Sequence, residues 1–458
     1  MDKKKLFKSE EQKKSELLFI TVSILFGLCF FFFRIGNDDL TRRVYYEDSL
    51  MDGWNWVWGM VSDWSSRLII NFIWMVVGRY NKPSLMLYSA VSMYAYLKAL
   101  YLLSGKKDDF KLSLFITGVA MSFPFAILST SGWATATTSY FGPTACMLLA
   151  LVPLRKFYDG EKIPLWADII YILSMIYSAN AEQNVIVLIA VYAVGIVYFL
   201  VKRKKCSFRL ILHLLLAIAG LTFTLTCRGN WIRKTQEVKD WFPTYNMLDT
   251  VDKIELGLST TLHWMFCDGQ ILMILLCAVM MALVWKKYQD LLYRILSAVP
   301  VLAVLLLGPL RPILLAISPI TSTLVSEINS NGAFNVAQQG RGAGPLQVGV
   351  YLCLIVCLGI EIFLINDTPE GCIWDFLMAV LGVGTRVMMG LSPTIHASST
   401  RTYTAFLFCI SALVVHDYSI FLKEFGKTSK KQVMPYLSVG LIVLGFISLL
   451  SALLTMFY

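Results

Sequence analysis

Long apolar runs dominate the chain, and its polar positions gather in the stretches between them. A helix needs about 20 mostly apolar residues to cross a bilayer. Runs near that length occupy 17–33, 83–103, 112–128, 139–154, 165–178, 185–201, 208–226, 263–285, 295–310, 345–365, 373–390, 402–422 and 434–458. The pattern predicts an all-α integral membrane protein, a polytopic helical bundle of about 13 transmembrane helices. Two weaker runs, 68–77 and 313–325, are too short to span alone and are predicted as interfacial or re-entrant pieces of the outer loops.

Charge orients the spans. Lys3, Lys4, Lys5, Lys8, Lys13 and Lys14 precede the first run, and no small-residue cleavage site follows it. The run therefore reads as an uncleaved anchor with a cytoplasmic N-terminus. With that parity the inside segments carry 24 Lys and Arg and the outside segments 14. Three long polar segments, 34–82, 227–262 and 311–344, then fall on the outer face of a single transmembrane domain, 1–458. The segment from Trp64 to Gly78 is expected to lie along that face as an amphipathic helix, with Arg67 and Arg79 toward lipid headgroups. Lys98 and Glu361 fall near inner span ends, where they are expected to snorkel. No carboxylate is read at mid-membrane, which weakens an ion-coupled transporter.

Composition agrees. Hydrophobic residues make up 57% of 458 and charged residues 15%, with mean hydropathy +0.64, which excludes a soluble enzyme or a disordered tail. The net charge of +10 is accounted for by topology and calls for no nucleic-acid partner. The 10 cysteines show no metal-ligand spacing, and Cys353 and Cys357 sit in an apolar run. Cys227 and Cys267 bracket a polar segment and could bridge in an oxidising compartment.

Candidate chemistry lies in the outer segments. Asp38 and Asp39 follow the first span, with Arg42 and Arg43 next; a carboxylate there can take a proton from a hydroxyl nucleophile, or be only a helix cap. Ser178-Ala179-Asn180-Ala181-Glu182-Gln183-Asn184 forms a tight link that holds Glu182 close to the membrane plane. Arg386, His396 and Arg401 surround a loop rich in Ser and Thr, and guanidinium forks suit phosphate oxygens. Arg341 lies among glycines able to bring backbone amides near an anion. Nine of the 12 tryptophans fall on or near the outer side, where they suit both an interfacial belt and sugar platforms. No Walker, GxSxG or HExxH motif is present.

Gly36-Asn37-Asp38-Asp39 followed by Trp64-Ser65-Ser66-Arg67, in a long first outer loop of such a chain, resembles the GT-C superfamily of membrane glycosyltransferases. Glu182 in a short outer loop and Arg401 at the start of a late span fit a bacterial branch similar to polysaccharide and teichoic-acid side-chain transferases. The resemblance implies a GT-C-like fold in the cell membrane, active on its external face. It also implies inverting transfer of a sugar from a polyprenyl-phosphate donor to a hydroxyl of a glycan or lipid-linked glycan acceptor. Asp38 or Asp39 would be the general base, and the other would orient an arginine or a divalent metal. Arg386 and Arg401 would offset charge on the departing lipid phosphate, and Glu182, with Gln183, would orient a sugar. Arg42, Arg341 and His396 complete the candidate binding set, and no metal ligand set is assigned. A flippase or other transporter of lipid-linked glycans, or an O-antigen-type polymerase, is the alternative.

Overall fold

The computed structural model describes residues 9–45, 49–105, 109–204, 206–326, 328, 344–425 and 433–455. All regular structure among them is helical. The main helices are α1 (Glu10–Cys29), α2 (Leu50–Asp63), α3 (Leu68–Arg79), α4 (Asn81–Leu103), α5 (Phe110–Met121), α6 (Trp133–Tyr158), α7 (Leu165–Ser178), α8 (Glu182–Tyr198), α9 (Phe208–Thr226) and α10 (Arg228–Trp241). They continue as α11 (Thr250–Cys267), α12 (Ile271–Lys287), α13 (Leu291–Leu307), α14 (Arg311–Ile317), α15 (Pro319–Ser326), α16 (Gly344–Ile365), α17 (Pro369–Val387), α18 (Thr404–Phe425) and α19 (Val433–Thr455).

Among the described residues nine helices are long and apolar enough to cross a membrane, or up to 11 if each of two bent pairs counts as one span. The chain is thus an all-helical, multi-pass membrane protein by length and composition. The expected number of about 13 also needed α5 and α7, which are only 12 and 14 residues long. At 1.5 Å per residue such helices reach roughly 18–21 Å, short of a hydrocarbon core about 30 Å thick. The run at 112–128 falls short because Pro124 disfavours helix in the residue before it; the chain leaves α5 through the 3₁₀ turn Phe125–Ser129. The run at 263–285 is broken between α11 and α12, which bend by 73° where Gly269 takes a φ of +65°. The run at 295–310 ends in an 80° bend between α13 and α14. The polar segments are largely helical too: 34–82 holds α2 and α3, 227–262 holds α10 and most of α11, and 311–344 holds α14 and α15.

The chain divides into two units. The first comprises Met1–Thr235, Ser399–Phe408 and Ser429–Tyr458, the second Gln236–Ser398 and Cys409–Thr428. In the first, Phe123 packs against Phe125 and Phe141 and Phe26 against Phe125 as tilted or edge-on rings, while Phe408 stacks on Tyr96 at 3.9 Å. Glycines let helices cross closely there. A Cβ on Gly445 of α19 would lie 2.2 Å from the Met121 carbonyl of α5, and one on Gly27 of α1 would lie 2.5 Å from that of Met86. Small residues at such crossings replace the hydrophobic drive that lipid cannot supply. Lys98 does not snorkel: its Nζ pairs with Glu16 of α1 at 2.5 Å. In the second unit Glu361 is fully buried on α16 and does not snorkel either. All ten cysteines are free thiols, Cys227 and Cys267 included.

The α5–α19 crossing yields a direct test. Gly445→Leu is expected to destabilise the folded protein by about 1–3 kcal/mol through overpacking. Gly440→Leu, on the same helix with open space around its Cα, is expected to be neutral. Thermal unfolding in detergent compares them, and equal midpoints would refute the close crossing.

Candidate functional site

Asp39 is held by the start of α6. The first N–H groups of a helix have no partner within it, and here the chain supplies one from 95 residues away. Asp39 Oδ2 accepts from the Ala134 amide at 2.9 Å and Oδ1 from the Thr135 amide at 2.8 Å; the Thr135 hydroxyl also donates to Oδ1. Gly132, at φ +105°, makes room: a Cβ there would fall 2.6 Å from the Asp39 Cγ. The Asp38 amide donates to the Ser131 carbonyl at 3.2 Å, closing the same seam. Asp39 is 4% exposed. Burial pushes its carboxyl up to about 6, against the lowering effect of the Thr135 and Ala134 bonds. It borders a small open cleft with Phe33, Ile35, Arg43, Gly78 and Asn81.

Asp38 differs. It caps nothing beyond its own helical turn, its side chain is 44% exposed, and Arg42 lies 3.6 Å away. Arg42 stacks over Trp74, 4.7 Å from the ring centroid.

The 178–184 link ties three segments together. Asn180 Oδ1 accepts from the Ile69 and Ile70 amides at 3.0 and 3.1 Å, capping α3, while its Nδ2 donates to the Ser66 carbonyl at 3.0 Å. Asn230 holds the same turn, accepting from the Ser66 amide at 3.1 Å. Stapled this way, Trp64-Ser65-Ser66-Arg67 aims Arg67 inward. Its Nη2 donates to Glu182 Oε2 at 2.7 Å and its Nε to the same oxygen at 3.0 Å. The sequence placed Arg67 toward headgroups; burial of the Glu182 carboxylate demands a counter-charge and redirects it. Burial itself works against the charge on Arg67, but Glu182 and Tyr140 outweigh it and hold the guanidinium above its ordinary value. Gln183 Nε2 donates to the Thr402 carbonyl at 3.0 Å, beside Arg401.

Tyr140 is the meeting point. It interacts, through hydrogen bonds and charge, with both Arg67 and Arg401. Arg233 acts on Glu182 as well. Arg67 and Arg401 thus meet at one phenol, while Arg67 and Arg233 act on one carboxylate. Tyr140 lies in the π-helical turn Thr137–Phe141 of α6, a geometry frequent at functional sites. Sequence reasoning missed Tyr140 and Arg233; the polar cluster Thr135, Thr137, Thr138, Ser139 and Tyr140 at the head of an apolar run was the available signal.

Arg386 and His396 belong to the second unit, whereas Arg401 belongs to the first. Arg386 is 3% exposed rather than snorkelling. His396 is exposed and packs 5.6 Å from the Phe242 ring. Arg341 lies outside the described residues.

The Asp39 seam makes a stability prediction. A carboxyl whose folded value is raised from 3.8 to about 6 stabilises the fold below its unfolded value, and that contribution is lost as pH rises through about 6. The wild-type unfolding midpoint should therefore rise on acidification from pH 7 to 5 by more than that of Asp39→Asn. Asp39→Ala, which orphans two buried amides, should cost about 1–3 kcal/mol, and Asp38→Asn almost nothing. A pH profile identical in wild type and Asp39→Asn would contradict the buried seam.

No family model, no curated protein and no solved structure matches this chain.

Proposed function

We propose that the protein is a membrane glycosyltransferase of GT-C-like fold that moves a sugar, with inversion, from a polyprenyl-phosphate donor to a hydroxyl of a cell-surface glycan. In this reading the N-terminus is cytoplasmic and the site faces outward, as the distribution of Lys and Arg supports. The observation that carries it is the convergence of Arg67 and Arg401 on Tyr140, with Arg233 acting on Glu182. Glu182 offsets the charge of Arg67, and Arg401 suits a phosphate that gains charge as the sugar leaves it. Asp38 is the general base: its carboxylate is exposed and loosely paired, while both oxygens of Asp39 are engaged by α6. Asp39 positions the turn that presents Asp38. Glu182 acts by fixing Arg67 rather than by touching sugar.

A transporter of lipid-linked glycans is the second reading, favoured by carboxyl groups buried within spans of the second unit, Glu361, Asp375 and Asp417.

The two readings separate in cells making normal protein levels, with glycan modification as the assay. Asp38→Asn should lower modification by about 10²–10⁴-fold, the usual loss when general-base help is removed. Arg401→Lys keeps the charge but loses the fork, and should reduce use of the donor more than it reduces folded protein. Near-normal modification in both Asp38→Asn and Asp39→Asn would reject the transferase and move the transporter ahead.

A further inference from the structure

The second unit contains a group of side chains that sugar transfer does not use. Asp375 lies on α17, His416 and Asp417 on α18, and Glu361 on α16. The carboxyl residues are 0% (Asp375), 1% (Asp417) and 0% (Glu361) exposed. His416 Nδ1 meets Asp375 Oδ1 at 2.7 Å and lies 3.9 Å from Asp417 Oδ1. Asn366 Nδ2 donates to the other Asp375 oxygen at 2.6 Å. His416 and Asn366 thus both serve Asp375, with Asp417 beside the same imidazole.

What remains is unbalanced. Both Glu361 oxygens and Asp417 Oδ1 are buried without a hydrogen-bond partner, and Glu361 and Asp417 are near enough to act on each other electrostatically. Lys287 is committed elsewhere, to the Ile365 carbonyl at 2.5 Å, Asp367 at 2.9 Å and Glu424 at 3.2 Å. Buried acids are retained only where something cationic or a proton meets them. The ligating atoms of Asp375, His416 and Asp417 all lie within 4.8 Å of one another; bonds of about 2.0–2.2 Å hold two ligands at most about 4.4 Å apart, so small side-chain rotations would bring the three onto one ion.

We propose that Asp375, His416 and Asp417 hold one divalent transition-metal ion of the zinc or manganese class, with Glu361 supplying further negative charge beside them. One imidazole nitrogen and carboxylate oxygens, with no thiolate among them, are the donor set such ions take. The ion replaces the proton between His416 and Asp375, which is released to solvent on binding. Asn366 stands behind the Asp375 ligand and fixes its orientation.

The test uses full-length protein without a histidine tag, in detergent, stripped with a chelator. Titration with Co²⁺ should give a saturable visible band at about one equivalent, which Zn²⁺ abolishes, and Zn²⁺ should raise the unfolding midpoint. Asn366→Leu should weaken Zn²⁺ binding about 10–100-fold, as loss of a supporting outer-shell partner does. His416→Ala and Asp417→Asn should remove the band. If they fail to fold, the wild type decides alone: no band and no shift in midpoint would overturn the site. Folded His416→Ala or Asp417→Asn protein that binds Zn²⁺ as tightly as wild type would overturn it too. Wild-type acids that bind protons but no Co²⁺ or Zn²⁺ would also overturn it, leaving a proton-holding cluster that favours the transporter reading.

Discussion

A carboxylate partly or wholly withdrawn from solvent among apolar helices must meet a cation, a set of N–H groups or a proton, because lost hydration makes the bare charge costly. The first unit answers this demand three times. Glu16 of α1 is met by Lys98 and Tyr94 of α4. Asp39 is met by the opening amides of α6, and Glu182 by the fork of Arg67. Each answer joins segments distant in the chain. These polar joints specify which helices lie side by side, while glycine crossings such as Gly445 on Met121 set how closely they approach.

The joints also draw further charged groups together, and the proposed chemistry is built on them. Were Arg67 and Glu182 alone, the pair would be self-contained. Arg233 acts on the same carboxylate, and Arg401 on Tyr140. In the second unit Asp375 and Asp417 are buried beside a single imidazole. Groupings of this kind suit an ion or ionic ligand as their complement, on which both proposals rest.

The sequence shows the helices well and the joints poorly. Runs such as 185–201 and 434–458 read as spans because apolar length alone decides them, and the candidate spans Glu182–Arg203 and Met434–Thr455 answer to them. The runs at 112–128 and 263–285 misread because hydropathy averages over Pro124 and Gly269, where the backbone turns. Glu361 was read as snorkelling from its distance to a span end, but side chains of neighbouring helices, not distance, determine whether water is within reach. Asp38, Asp39, Glu182, Gln183 and Arg401 were visible as polar residues beside spans. That Glu182 pairs with Arg67, 115 positions away, is a tertiary fact with no local trace. Asn180 and Asn230 were equally silent, since an amide that caps a distant turn looks like any polar loop residue.

The misread run at 112–128 is what makes the acidic part of the site. Had α5 continued as a straight helix through 128 and beyond, the amides of Ala134 and Thr135 would bond within it, and Asp39 would have no donors to meet. Because the chain breaks at Pro124, turns through Phe125–Ser129 and restarts at Trp133, a helix N-terminus is created inside the protein, with the orphan N–H groups and partial positive charge that attract a carboxylate. The same helix carries Tyr140 less than two turns further on, within its π-turn. One element therefore spaces the acidic turn from the basic cluster. A shortened span, which costs membrane crossing, is repaid as a fixed distance between the group that would take a proton and the groups that would hold a phosphate.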